Sequence, residues 1–388
     1  MVAYFLRRMK FIVEQQLFNR SLMLAGKSLL AKPNLPVLAN LLIKATKGKV
    51  EIISTSLETA TRVNFDCKVE IEGEITVNGK TMLEFVSQLP GGDVSFEKLG
   101  EEVLVSASGF KARLATIAVE EFPVIPKIDK GTKLKLNPGD FARCVARVAF
   151  SAAQDEGRPV LTGVLCEFVK GSLKMVATDG YRLSYDEMQL ASGELFEAKI
   201  VLPARALLEV AKILSETEGL GDKADFSMLI AENLSQVSFS VPGAEFTSRL
   251  IEGEYPGWQR VIPASFGTKV KVAKEDVVKV VRVASIFARD AGSIIRVKIE
   301  AGAKGKGVFK VLSAAAQVGS TDAEVEADVT GPGGEIAFNY RYLLDALAVI
   351  TTEDIIFEMI ESLNPGKISP TDEKDKFFHI VMPVRLQS

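Results

Sequence analysis

Residues 18–56, FNRSLMLAGKSLLAKPNLPVLANLLIKATKGKVEIISTS, recur without a gap at residues 141–179 as FARCVARVAFSAAQDEGRPVLTGVLCEFVKGSLKMVATD. Phe141 falls on Phe18, Arg143 on Arg20, Pro159, Val160 and Leu161 on Pro36, Val37 and Leu38, Leu165 on Leu42, Gly171 on Gly48 and Thr178 on Thr55. A shorter segment occurs three times. Ile75-Thr76-Val77-Asn78 with Leu83 and Val86 aligns with Ile200-Val201-Leu202-Pro203 with Leu208 and Ala211, and again with Ile336-Ala337-Phe338-Asn339 with Leu344 and Leu347. Each copy reads as strand, polar turn, helix. Duplication dictates architecture more firmly than local propensity, and this period is far longer than that of a solenoid unit. The chain therefore reads as three copies of one α+β domain of roughly 120–135 residues, the size of an independent fold. The expected boundaries are 9–131, 132–266 and 267–388, each copy pairing two helices with antiparallel sheet. Glu121-Phe122-Pro123 and Glu254-Tyr255-Pro256 close the first two copies, which puts the linkers near Lys130 and Phe266.

A chain of 388 residues exceeds the size of a single core. Charged residues make up 25% and hydrophobic residues 47%, the balance of a globular protein, and no apolar run reaches the ~18 residues of a spanning helix. Cys67, Cys144 and Cys166 are odd in number and lack metal-ligand spacing, which fits a reducing cytoplasm; no metal or cofactor is expected. The single histidine, His379, argues against extensive acid–base chemistry. The net charge of −3 disfavours nucleic acid when taken alone, but the distribution of charge decides that question, not its sum.

In chain order, residues 1–8, MVAYFLRR, fall outside the repeat and read as an extension too short for a signal peptide, with Met9 the expected start. The pattern over 16–30 predicts a helix with Arg20 and Lys27 on its polar side, ended by Lys32-Pro33-Asn34. A second helix is predicted over 79–89, stopped by Pro90-Gly91-Gly92, with hairpin strands over 94–116. The corresponding helices carry Arg143 and Arg147, then Arg205 and Lys212, then Lys274, Lys279, Arg282 and Arg289, then Arg341, with Lys80 on the second helix of copy one. Glu84, Glu209 and Asp345 dilute the bias. Any one of these faces reads as ordinary solvated helix; six equivalent faces leaning the same way read as an organised basic surface.

Six helices side by side at ~10 Å spacing close a ring with a bore of only ~9 Å. Twelve, from two chains head to tail, leave a bore of roughly 28 Å, enough for duplex DNA and a layer of water.

At this point the sequence resembles a known family. Leu35-Pro36-Val37-Leu38, Arg158-Pro159-Val160-Leu161-Thr162-Gly163, Val176-Ala177-Thr178-Asp179-Gly180-Tyr181-Arg182-Leu183, Glu254-Tyr255-Pro256 and Val381-Met382-Pro383-Val384-Arg385-Leu386, in this order and with the threefold duplication, are similar to the bacterial DNA polymerase III beta subunits, the replication sliding clamps. The resemblance covers essentially residues 9–386. It implies a closed head-to-tail dimer of six domains that encircles double-stranded DNA without sequence preference, in the cytoplasm at the nucleoid. It also implies that replicative polymerase, clamp loader and repair proteins dock through short linear peptides rich in glutamine, leucine and phenylalanine.

By that resemblance the peptide pocket is formed by Leu161, Thr178, Gly180, Tyr181, Arg182, Leu183, Pro256, Arg260, Val261, Ile380, Val381, Met382, Pro383, Val384, Arg385 and Leu386. Apolar side chains would supply the cleft and arginines its rim. The cations expected to face DNA are Arg20, Lys27, Lys32, Lys80, Arg143, Arg147, Arg205, Lys212, Lys279, Arg282 and Arg341. The chain departs from the family at Pro159 and Val160, where some members use aromatics on DNA, at Tyr181, where others have histidine, and in running on to Gln387-Ser388. Two alternatives stay open at this level. An enzyme would need a site that the glycines around 302–307 and 331–334 do not supply, since neither run has a phosphate-loop or dinucleotide ending. A monomeric scaffold of repeated domains would share the folds and lose the ring.

Overall fold

A computed structural model describes residues 8–155, 157–190, 196–216, 225–289, 292–315 and 319–385. The duplication reappears as strand register. In the first copy Leu42, on strand Asn40–Thr46, lies opposite Ile53, on strand Lys49–Thr55; in the second the aligned Leu165 lies opposite the aligned Val176. Identical register puts identical side-chain parity on the buried face, because a shift by one residue would turn every side chain over.

Six helices are present among the described residues: α1 Gln15–Ala25, α2 Gly79–Ser87, α3 Pro138–Val148, α4 Ala204–Glu216, α5 Lys274–Ala288 and α6 Tyr340–Val349. Three of them, α2, α4 and α6, follow directly on the strands of the threefold segment, Gly73–Asn78, Ala198–Pro203 and Gly334–Asn339. The last residue of each strand is the switch. The Asn78 side chain accepts from the Thr81 N–H at 2.9 Å and the Asn339 side chain from the Arg341 N–H at 3.0 Å, satisfying donors that a helix start leaves open. In the middle copy Pro203 occupies that place.

The helix predicted over 16–30 is shorter than expected. It ends at Ala25 and tightens into a 3-10 turn, Gly26–Ser28, because the Ser54 hydroxyl takes the Ala25 carbonyl and Ser28 shares a hydrogen bond with Thr61 at 2.8 Å. Likewise α2 stops at Ser87, before Pro90, and the stretch over 94–116 forms three strands, Asp93–Leu99, Glu102–Ala107 and Phe110–Ile117.

The chain forms two compact units, Met1–Gly139 with Glu209–Leu250 and Asp140–Leu208 with Ile251–Ser388, carrying among the described residues sheets of thirteen and twelve strands respectively. These units do not coincide with the sequence repeats. In the first unit, strand Thr59–Asp66 of copy one pairs antiparallel with Ala244–Arg249 of copy two; in the second, the aligned strand Arg182–Gln189 of copy two pairs antiparallel with Phe378–Val381 of copy three. Even the closing hydrogen bonds match, Arg249 N–H to the Glu58 carbonyl at 2.9 Å and Met382 N–H to the Tyr181 carbonyl at 2.8 Å.

Each unit has its own core. In the first, the buried rings of Phe11, Phe18 and Phe96 meet with centroids 4.6 to 6.3 Å apart, each contributing about 2–3 kcal/mol by leaving water. In the second, α5 and α6 bury Val277, Val281, Ala284, Leu343, Ala346 and Leu347 against Phe309, Phe338 and Phe357 of the sheet. Burial pushes the Cys166 thiol up to about 12 and Cys67 up to about 11, so both stay protonated and unreactive at neutral pH. No helix among the described residues is long and apolar enough to cross a membrane.

Candidate partner-binding groove

The groove is built in the second unit around the turn that joins strand Ser172–Thr178 to strand Arg182–Gln189. Asp179 organises the turn: its Oδ1 accepts from the N–H groups of Tyr181 and Arg182 at 2.9 and 3.0 Å. The Thr178 hydroxyl donates to the Arg182 carbonyl at 2.6 Å and accepts from the Gly180 N–H at 3.1 Å. Gly180 has φ +92°, and a Cβ there would stand 3.0 Å from Nη1 of Arg158, whose Nη2 donates to the Asp179 carbonyl at 2.9 Å. Gly180→Val is therefore expected to cost about 1–2 kcal/mol of unfolding free energy, measured by urea titration. Held this way, the turn presents Tyr181 with 63% of its surface exposed.

Beneath it lies a small apolar cluster, Leu165, Val176, Leu183, Tyr185, Val201, Trp258 and Ile380, with Val160 and Tyr255 packed against it. Trp258 opens the 3-10 turn Trp258–Val261 and lays its ring 5.4 Å from that of Tyr185. Burying the indole leaves Arg260 and Val261, further along the same turn, exposed. The Tyr255 hydroxyl accepts from the Thr178 N–H at 3.1 Å, and burial holds that phenol protonated. The C-terminal tail closes the third side: Met382 N–H reaches the Tyr181 carbonyl and Val384 N–H the Ala337 carbonyl, each at 2.8 Å.

Three segments distant in sequence thus converge. Leu161, Leu183, Ile380 and Val381 are buried floor; Thr178, Met382, Pro383 and Val384 are half-buried walls; Gly180, Tyr181, Pro256, Arg260, Val261 and Arg385 are exposed. Leu386 lies outside the described residues. Beyond the tail, Val384 and Arg385 share a cavity of about 450 Å³ with Glu335, Ile336, Ala337, Ser362 and Leu363.

Arg182 corrects the sequence reading. It was expected at the rim, but it is only 9% exposed and every nitrogen is engaged: Nε on Asp179 at 3.0 Å, Nη1 on Asp345 of α6, Nη2 on the Phe150 carbonyl at 2.8 Å. Its guanidinium also lies over the Tyr342 ring at 4.7 Å. It is tied into the floor of the groove and does not stand free at the rim. Sequence reasoning missed Arg158, Asp179, Tyr255 and Trp258 as site builders. Tyr255 and Arg158 stood inside quoted motifs; Trp258, the only tryptophan of the chain, could have been flagged by its two-residue distance from Pro256.

The cations expected on DNA divide. Arg147 is corrected: it is 4% exposed, with Nη1 on Asp375 at 2.7 Å and Asp186 at 3.6 Å, because it projects from the core face of α3. Arg143, half-exposed, is drawn to the same Asp186 at 2.7 Å. The Lys27 ammonium is likewise taken by Glu216 at 2.8 Å and largely covered. Lys80 and Lys279 are exposed beside Glu84 and Asp276 at 3.8 and 2.9 Å. Lys32, Arg205, Lys212, Arg282 and Arg341 are exposed and Arg20 is half-buried.

A threefold-repeated fold of helices and antiparallel sheet, joined by strands exchanged between copies, defines the class as clamp-like, and comparison with known proteins agrees on that fold. Residues 9–126, 135–257 and 259–385 match in turn the N-terminal, central and C-terminal domains of the DNA polymerase III beta subunit, and the chain belongs to that family. Among its relatives, the beta sliding clamp of Synechococcus elongatus is 28% identical over 384 residues, spanning 98% of this chain and all of that protein. That of Staphylococcus epidermidis is 26% identical over 387 residues, spanning 97% of this chain and 99% of the relative. The crystal structure of the DNA polymerase III beta subunit of Thermotoga maritima superposes with a TM-score of 0.90 at 28% identity, covering 98% of this chain and 100% of that one.

Proposed function

We propose that this chain is a DNA sliding clamp: a head-to-tail homodimer of six clamp domains, divided near Lys130 and Phe266, that encircles duplex DNA without reading its sequence. It performs no catalysis. It tethers replicative polymerase, clamp loader and repair proteins through short peptides seated in the groove beside Tyr181, and it works in the cytoplasm at the nucleoid. Lys32, Lys80, Arg205, Lys212, Lys279, Arg282 and Arg341, with Arg20, are proposed to meet phosphates, which hold a duplex by charge without specifying bases.

The observation that carries the reading is a pair of open sheet edges of opposite charge. Among the described residues, strand Phe110–Ile117 of copy one is paired along its length only with Glu102–Ala107, touching Gly73–Asn78 at Thr76 and Val77 alone. Strand Gly319–Thr330 of copy three is paired along its length with Lys306–Ala315 and meets Thr268–Ala273 only at 328–330. Ala112 and Leu114 on one strand, and Thr321, Ala323 and Val325 on the other, are half-exposed where strand alternation would bury them. The first edge carries exposed Lys111 and Arg113, the second exposed Asp322, Glu324 and Glu326. Long unpaired edges invite a strand from another chain, and these two complement each other across a dimer.

Light scattering at micromolar concentration is expected to give a dimer. Lys111→Glu with Arg113→Glu is expected to weaken it at least about tenfold, since like charges would then face each other across the edge. A wild-type monomer would rule out the ring. On DNA, retention on a nicked circle is expected to survive moderate salt and to fall sharply once the circle is linearised; equal loss from both forms would indicate simple electrostatic binding instead.

A further inference from the structure

The seam that carries the C-terminal tail into the groove is four residue pairs long, from Arg182 opposite Val381 to Tyr185 opposite Phe378. Side chains alternate with period two, so a slip of two residues would keep every side chain on its own face; alternation alone does not fix this register. A buried arginine stands at each end of the seam. At one end Arg182 binds Asp179 of the middle repeat and Asp345 of the third. At the other, Arg147 binds Asp186 of the middle repeat and Asp375 of the third. Each guanidinium also lies over an aromatic ring of the third repeat, Arg182 on Tyr342 at 4.7 Å and Arg147 on Phe377 at 5.3 Å. Asp375 in turn accepts from the Phe377 N–H at 3.1 Å, which fixes the chain one residue before the strand begins.

We propose that Arg147 and Arg182 are paired register staples, and that Arg147, at the end of the seam opposite Arg182, is a positioning residue for partner binding. This rests on the groove reading above. Each staple takes one carboxylate from each repeat, so the seam is held in the one register that satisfies both. A slip would leave a buried charge without its counter-ion, which apolar packing does not compensate. Because the strand Phe378–Val381 runs straight into Met382, its register decides whether Met382 to Arg385 line the groove beside Tyr181 or lie displaced from it.

The test is calorimetry on the full-length dimer with a synthetic pentapeptide of glutamine, leucine and phenylalanine, beside amide exchange and molecular mass. Arg147→Met is expected to lower peptide affinity at least about tenfold, with the dimer mass unchanged and faster exchange confined to residues 378–385. Arg147→Lys keeps a cation between Asp186 and Asp375 and is expected to recover most of the affinity and of the exchange protection at 378–385. Should Arg147→Met fail to fold, Asp375→Asn leaves Arg143 and Arg147 on Asp186 and is expected to show the same local exchange with a smaller loss. Unchanged affinity and exchange in folded Arg147→Met, or no recovery in Arg147→Lys, overturns the proposal. Wild-type protein that does not bind the peptide refutes the groove and with it the positioning role, while exchange at 378–385 still judges the staple.

Discussion

Deleting residues 382–388 is expected to weaken binding of the glutamine-, leucine- and phenylalanine-containing pentapeptide at least about thirtyfold while leaving the dimer intact. Met382, Pro383 and Val384 are half-buried walls of the groove, and the tail is held there by two backbone hydrogen bonds, to Tyr181 and Ala337. Losing a central apolar anchor from a peptide site costs at least about 2 kcal/mol, which corresponds to that factor. The proposed dimer edges, Phe110–Ile117 and Gly319–Thr330, contain none of the deleted residues. Calorimetry and light scattering on the truncated protein check both halves, and unchanged affinity would put the peptide site elsewhere.

The second large effect is on stability in acid. His379 is fully buried opposite Ser184, with Nδ1 2.8 Å from the Ser184 hydroxyl, which is itself 2.8 Å from Ser151. Burial, helped by the charge of Arg182, pulls its pKa down to about 3. The folded protein therefore keeps the ring neutral while the unfolded chain, titrating near its ordinary 6.5, takes up a proton. Between these values the unfolded state binds more protons, so stability is lost as pH falls from about 6.5 towards 3, by about 1.4 kcal/mol per unit and up to about 5 kcal/mol in all. Above pH 7 the residue contributes no slope. Urea titrations at pH 7, 6 and 5 are expected to show this slope in the wild type and its loss in His379→Gln, which cannot be protonated. Parallel slopes in the two proteins would assign acid sensitivity to carboxylates instead.

Much of the architecture was legible because duplication is read by subtraction and needs no propensity. The alignment of Leu42 with Leu165 became a shared strand register, and Asn78 and Asn339 became helix caps where the threefold segment predicted a turn. Helix ends were less legible. Nothing local to residues 26–30 announces that Ser28 will be claimed by Thr61, thirty-three positions away. Charge was least legible of all. Arg143, Arg147 and Arg182 look identical to solvent-facing arginines in a sequence, and only the fold reveals the aspartates that consume them, from as far away as Asp375. The groove fared better, since an apolar strand next to Pro383 has to be buried somewhere. What its sequence hid was Trp258, whose ring makes a floor only after the turn places it on Tyr185.

The mismatch between sequence repeats and compact units also bears on how the protein is made. Copy one emerges from the ribosome with strand Thr59–Asp66 complete, yet the strand that covers its edge, Ala244–Arg249, belongs to copy two. About 180 further residues have to be polymerised first, roughly 10–40 s at the usual pace of synthesis. During that interval the nascent chain displays an unpaired strand whose core-facing members, Thr61, Val63 and Phe65, are buried in the finished protein. The same wait is repeated for Arg182–Gln189 until Phe378–Val381 arrives. Stalled chains ending near residue 200 should accordingly be cut by protease within copy one, and chains ending near 300, once past the exit tunnel, should resist. Equal resistance at both lengths would mean that the first copy closes without its borrowed strand.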